Sequence, residues 1–259
     1  MRFLLLTAII FSMLNGQDNF LNYHDINATQ KSIDKKGCKT LKSKEELCIK
    51  TSLTYPTAIT SSNPKVQAQI QQEVDIQTQE YKSGSDPSLS QEDIDDMLDY
   101  CHEGFCPGLE FSSTIEIFAT TPNTFTLKTG NYAYIGGARG HYAATFENYT
   151  IDDRKVLKLE DILITNYKPE LLKIAENHYR ELHNIPPDEG LRSFGWFEDE
   201  FILACNFAIT DKGILWIYNP GVISSYGAGL ITFLLPYEKI KHLIPSGSVI
   251  ANFPPKKHL

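Results

Sequence analysis

Hydrophobic and polar positions change period several times along the chain, and each change marks an element. From Cys48 to Thr60 the sequence CIKTSLTYPTAIT alternates, placing Ile49, Thr51, Leu53 and Tyr55 on one side. A two-residue period is that of a half-buried strand, which Pro56 is expected to stop. From Pro64 the apolar positions fall every fourth residue, at Val66, Ile70 and Val74, and Gln77 and Tyr81 continue the line. This spacing predicts an amphipathic helix over 64–82 with a proline at its N-terminus. Residues 82–90 form a polar linker with Gly84 and Pro87. Ser90 and Asp93 then precede Ile94, Met97 and Leu98, which predicts a short capped helix leading to Cys101.

The middle of the chain is β-rich. Strands are expected at 109–120 and 123–135, joined at Thr121-Pro122, and at 141–151 beyond Gly136-Gly137-Ala138-Arg139-Gly140. Asp152 to Lys155 turn the chain into Val156-Leu157-Lys158-Leu159, and Pro169 opens a second helix with Leu171, Ala175, Tyr179 and Leu182 on one face. Residues 201–209 and 214–218 read as a hairpin around Asp211-Lys212-Gly213. A loop rich in glycine and serine runs from Asn219 to Gly229, followed by a strand at 230–235 and a short closing helix from Pro236. Two strand–helix cycles without strict βαβ alternation predict an α+β fold of antiparallel sheets with helices packed on one face, in two sub-domains.

The N-terminus adds an address. Met1 and Arg2 precede FLLLTAIIFSML, an apolar run of twelve and then Asn15-Gly16. Twelve is short of the roughly 20 residues a membrane-spanning helix needs, and it suits the core of a secretory signal peptide cut near Gly16. The expected organisation is therefore a signal peptide at 1–16 and a polar, unperiodic segment at 17–45. A small α/β sub-domain at 46–108, a main extracellular domain at 109–250 and a tail at 251–259 complete it. The expected location is periplasmic or secreted, with no stable membrane span. Five cysteines fit an oxidising compartment. Cys38 with Cys48 and Cys101 with Cys106 most simply close two local loops, although four cysteines allow three pairings. Cys205 lies in an apolar run and is expected to be a buried core thiol.

Charge narrows the partners. Lys+Arg 24 against Asp+Glu 32 gives a net charge of −8 over 259 residues, which carries no electrostatic footprint for nucleic acid or anionic lipid. A basic protein partner fits that balance. No GxSxG elbow, HExxH pair, P-loop or EF-hand loop occurs in the sequence. The carboxylates at Asp93, Asp95, Asp96 and Asp99, and at Glu198, Asp199 and Glu200, read first as solvated faces. They supply the one set from which acid/base chemistry could be built. No cofactor, metal site or catalytic set is expected, and the oligomeric state is left open.

Two glycine-containing blocks carry a resemblance. Tyr134-Ile-Gly-Gly-Ala-Arg-Gly-His141, Phe146-Glu147 and Leu157 to Leu163 form the first. Phe207 to Gly213, Trp216, Tyr218, Pro220, Tyr226, Gly229 and Leu235-Pro236-Tyr237 form the second. Together they resemble a family of extracellular domains found in the lysozyme-sensing anti-sigma factor RsiV and beside the catalytic domain of the peptidoglycan deacetylase PdaC. Leu53-Thr-Tyr-Pro56 and the 64–82 helix are similar to the smaller domain that commonly precedes it, so the likeness covers roughly residues 45–245. The resemblance implies a two-part domain that recognises cell-wall material or a cell-wall enzyme. The family's usual first-loop histidine is Arg139 here, with His141 two positions on. Its usual Pro-Tyr-Glu-Ile run reads Pro220-Gly221-Val222-Ile223, without the aromatic and acidic side chains. With two residues before the apolar run and an end at Leu259, the sensing module is expected alone, without sigma-binding or deacetylase parts.

The expected function is an exported, non-catalytic binding module for a basic lysozyme-like muramidase or a peptidoglycan fragment. Its expected binding residues are Arg139, His141, Pro220, Ser224, Ser225 and Tyr226, on two loops at one end of the sheet. The alternatives are a cell-wall-active hydrolase built on the acidic residues and a structural envelope protein without ligand.

Overall fold

The computed structural model describes residues 22–40, 46–83 and 109–251. Five strands form the first sheet in the order β1 (Asn27–Thr40), β2 (Glu46–Thr60), β3 (Leu109–Thr120), β4 (Thr124–Tyr134) and β5 (His141–Thr150). Three more, β6 (Phe207–Ile209), β7 (Gly213–Tyr218) and β8 (Ile231–Pro236), form an antiparallel second sheet. The helices are α1 (Pro64–Ser83), α2 (Leu159–Ile162), α3 (Lys168–His183) and α4 (Tyr237–Ile240). The fold is α+β.

The alternation of apolar residues sorts the two faces of each sheet. Val66, Ile70 and Val74 of α1 are fully buried against Leu53, Tyr55, Ile115, Phe125, Leu127 and Tyr149, on one face of the first sheet. Burying each of those three helix side chains stabilises by about 1.5–3 kcal/mol. The opposite face meets the second sheet through Phe118, Ala144 and Phe146 against Ala208, Leu215 and Ile217. The far side of the second sheet carries the largest core, in which Trp216, Tyr218 and Phe233 pack with Leu171, Ala175 and Tyr179 of α3. Each sheet thus takes a helix on one face and the other sheet on the opposite face.

Three sequence expectations change in the fold. The polar segment 17–45 contains β1, which pairs antiparallel with β2 from Asn27↔Thr60 to Thr40↔Glu46. Backbone pairing and cross-strand hydroxyl contacts such as Ser32 Oγ to Thr54 Oγ1 at 2.8 Å hold it, and these need no hydrophobic period. β2 and β3 run parallel, because α1 is a crossover between them, so the first sheet is mixed. β2 also continues through Pro56: its pairing with β3 ends at Thr54↔Thr114, so beyond that point only β1 needs ladder bonds from it.

Cys38 and Cys48 face each other across β1 and β2 and form a disulfide. Cys101, Cys106 and the expected helix before them lie outside the described residues. Cys205 is free and exposed, contrary to its expected burial. The strand expected over 201–209 is only Phe207–Ile209, and with no ladder before Phe207 the cysteine faces solvent. No helix among the described residues is long and apolar enough to cross a membrane.

Candidate functional site

The β4–β5 hairpin and the β7–β8 connection end side by side. In the first, Gly136 (φ 103°) and Gly137 (φ 93°) hold left-handed backbone that a side chain would strain. Gly140 serves a different need: a Cβ there would run into the ring of Tyr132. Tyr134 Oη donates to Gly137 O at 3.0 Å and ties the loop to its own strand.

The second loop is fastened along the outer edge of β5. Tyr226 Oη accepts a hydrogen bond from Tyr142 N at 2.5 Å and lies 3.3 Å from Gly140 O. Asn219 receives Ala144 N on its Oδ1 at 2.8 Å and donates Nδ2 to Ala144 O at 3.0 Å. Asn206 receives Phe146 N at 2.9 Å and also donates to Ala144 O, at 2.8 Å. A side-chain amide offers the same donor and acceptor as a neighbouring strand, so the two asparagines satisfy an edge that would otherwise recruit another chain.

Around Tyr226 the expected binding residues separate into two groups. The Arg139 guanidinium carbon lies 4.8 Å above the Tyr226 ring centre, and the His141 ring meets it edge-on at 5.5 Å. Arg139, His141 and Ser225 are exposed, whereas Pro220 and Tyr226 are partly buried. Ser224 is buried and donates to Gly195 O at 2.6 Å, which makes it a fastening residue. Cation–π contact and ring-edge contact orient the Arg139 fork and the imidazole on a half-buried base.

A third segment joins them that no sequence pattern singled out. Trp196 bridges Ser224, and Phe197 N donates to Ile223 O at 2.8 Å, so residues 191–197 are stitched to the second loop. Phe194 is 44% exposed, Phe197 50% and Val222 53%. Two phenylalanines in the unperiodic run Leu191-Arg-Ser-Phe-Gly-Trp-Phe197 were the available signal.

The acidic run beside them has structural work. Asp199 Oδ1 accepts Arg192 N at 3.0 Å, and Glu198 pairs with the Arg192 side chain. These contacts hold the 191–194 turn. The other acidic cluster, Asp93 to Asp99, lies outside the described residues. The one His/Cys/Asp/Glu group close enough for a metal among the described residues is Cys38, Glu46 and Cys48, and its two sulfurs are joined in the disulfide.

With this geometry the chain can be set beside known proteins. Residues 160–238 match the family described as protein of unknown function (DUF3298). That segment contains α3, the 191–197 turn, the whole second sheet and the second loop, and excludes the first loop. The fold is similar to that of a DUF3298 family member from Bacteroides fragilis, with a TM-score of 0.60 and 19% identity over 89% of this chain and 98% of that one. A DUF3298 family protein from Pseudomonas aeruginosa gives 0.59 and 17%, over 86% and 97%. At these identities the likeness is one of fold. No curated protein matches the chain.

Proposed function

We propose that the chain is an exported, non-catalytic binding module whose loops seat a cell-wall ligand, a lysozyme-like muramidase or a peptidoglycan fragment. The carrying observation is the cluster at Tyr226. Two loops distant in sequence are locked to one strand edge, while Arg139, His141 and Ser225 at their tips are exposed. Pre-ordered loops lose little freedom on binding, and a fixed guanidinium suits a carboxylate. Exposed Phe194, Phe197 and Val222 on the adjoining turn favour the protein ligand of the two, because aromatic anchors dominate protein interfaces. The net charge of −8 favours a basic partner and predicts weaker capture as salt rises. Export rests on the apolar N-terminal run and the Cys38–Cys48 disulfide.

Capture of a purified basic muramidase, and separately of soluble peptidoglycan fragments, tests the reading. Arg139→Ala is expected to weaken capture by about 1–3 kcal/mol with thermal unfolding unchanged. Unaltered capture by Arg139→Ala and Phe197→Ala, or no capture of either probe by the unmodified protein, would overturn it.

A further inference from the structure

Asparagine followed at the second position by serine or threonine occurs twice in the chain, as Asn27-Ala28-Thr29 and as Asn148-Tyr149-Thr150. In an exported protein this triplet is an acceptor for N-linked glycan, provided that the asparagine stands at the surface. The structure separates the two. Asn148 is 2% exposed and its amide joins the two sheets: Nδ2 donates to Phe207 O at 2.9 Å, while Oδ1 accepts Thr126 Oγ1 at 2.8 Å and Ile209 N at 2.7 Å. A sugar on that nitrogen would part them.

Asn27, Ala28 and Thr29 are all exposed. Asn27 opens β1, the outermost described strand of the first sheet, and its amide makes one long bond, from Nδ2 to Asp25 O at 3.4 Å. The pairing slips between Asn27↔Thr60 and Thr29↔Thr57, opposite Ala58, whose backbone is left-handed at φ 49°. The triplet therefore lies where the ladder is already broken, and a strand end of this kind opens more readily than a central strand. Asp25, two residues before the asparagine, is exposed as well and offers a carboxylate to cationic groups of a transferase. We propose that Asn27 is an N-glycosylation site, the acceptor for an oligosaccharide carried on a polyprenyl diphosphate, and that Asn148 stays unmodified. The Asn27 Nδ2 nitrogen forms a bond to the anomeric carbon of the first sugar and loses one proton. The bond from that carbon to the diphosphate oxygen breaks, and the polyprenyl diphosphate leaves with the electron pair. The site uses none of the loop residues of the proposed function, but it rests on export, because such transfer takes place outside the cytoplasm.

Co-expression of the full chain with a single-subunit oligosaccharyltransferase and its lipid-linked oligosaccharide tests this, read by intact-mass and glycopeptide mass spectrometry of the exported protein. The natural sequence is expected to gain the mass of one oligosaccharide, on the peptide that carries Asn27. Asn27→Gln and Thr29→Ala should each abolish the gain, and Thr29→Ser should keep it; circular dichroism of each variant confirms folding. Exported protein without the added mass, beside a control acceptor that is glycosylated in the same cells, overturns the proposal alone. So does a glycan on Asn148, or a gain that persists in Asn27→Gln. A chain that keeps residues 1–16 and stays in the cytoplasm overturns export and the proposal together.

Discussion

Tyr226 shows how one residue can have two candidate roles and the structure divide them. Its ring carries Arg139 above one face and His141 at its edge, while its hydroxyl is committed to Tyr142 N. In the proposed site Tyr226 is therefore a positioning residue, and the groups left for a ligand are the Arg139 and His141 side chains it holds. Tyr226→Phe keeps the ring and removes the hydroxyl, so it should cost about 1 kcal/mol of stability, the net value of one hydrogen bond. Amide exchange at Tyr142 should accelerate while Arg139 stays in place. Exchange at Tyr142 equal to that of the unmodified protein would show that the Tyr142 N–Tyr226 contact does not fasten the loop. Nothing in the sequence distinguished Tyr226 from Ser224, because both stand in the same glycine- and serine-rich run. Burial and partners separate them.

Elements were legible where period and breakers agreed. The four-residue spacing of Val66, Ile70 and Val74 gave α1 within one residue of its observed Pro64–Ser83, and 109–120 is β3 without change. The hairpin around Asp211-Lys212-Gly213 is present as β6 and β7, shortened at its start. Its glycine has a reason beyond the turn: a Cβ on Gly213 would collide with the Leu235 carbonyl of β8. Gly213→Ala must therefore part β7 from β8 and should cost about 1–3 kcal/mol, as overpacking does. Urea unfolding with an unchanged midpoint would refute that account. β1 escaped detection because it is polar on both faces, with Ile33 as its one large apolar side chain. An edge strand of that kind is specified by its partner β2.

At the scale of the whole molecule, the histidine and carboxyl groups that titrate on acidification couple to folding in one direction. Burial lowers the pKa of His183 from its ordinary value near 6.5. The unfolded chain then takes up a proton more readily than the folded one as pH falls through that value, so stability drops. Several carboxyls move the same way at lower pH. The Lys155 hydrogen bond and the Lys158 backbone hold Asp161 below its usual range, and Lys239 does so for Glu181. Their stabilisation is present above the ordinary carboxyl range and is lost as pH falls through the lowered values. Thermal midpoints should therefore fall in two stages on acidification, first below about 6.5 and again below about 4. His183→Gln should remove the first stage and leave the second; retention of both would assign the first to another group.

The sequence by itself determined the α+β class, the periods of α1 and α3 and most strand positions, and it favoured the local Cys38–Cys48 pairing. Each of these depends on neighbours along the chain: apolar spacing, a proline at a helix start, or two cysteines ten residues apart. The parallel β2–β3 pair, β1, the exposure of Cys205 and the joining of Arg139, His141 and Tyr226 were decided by tertiary structure. They depend on groups up to 87 residues apart, as Arg139 and Tyr226 are. The asparagines that cap β5 show the physical reason. An amide side chain fits a loop or a strand edge equally well in sequence, and only the unpaired backbone groups it meets in the folded chain give it a role.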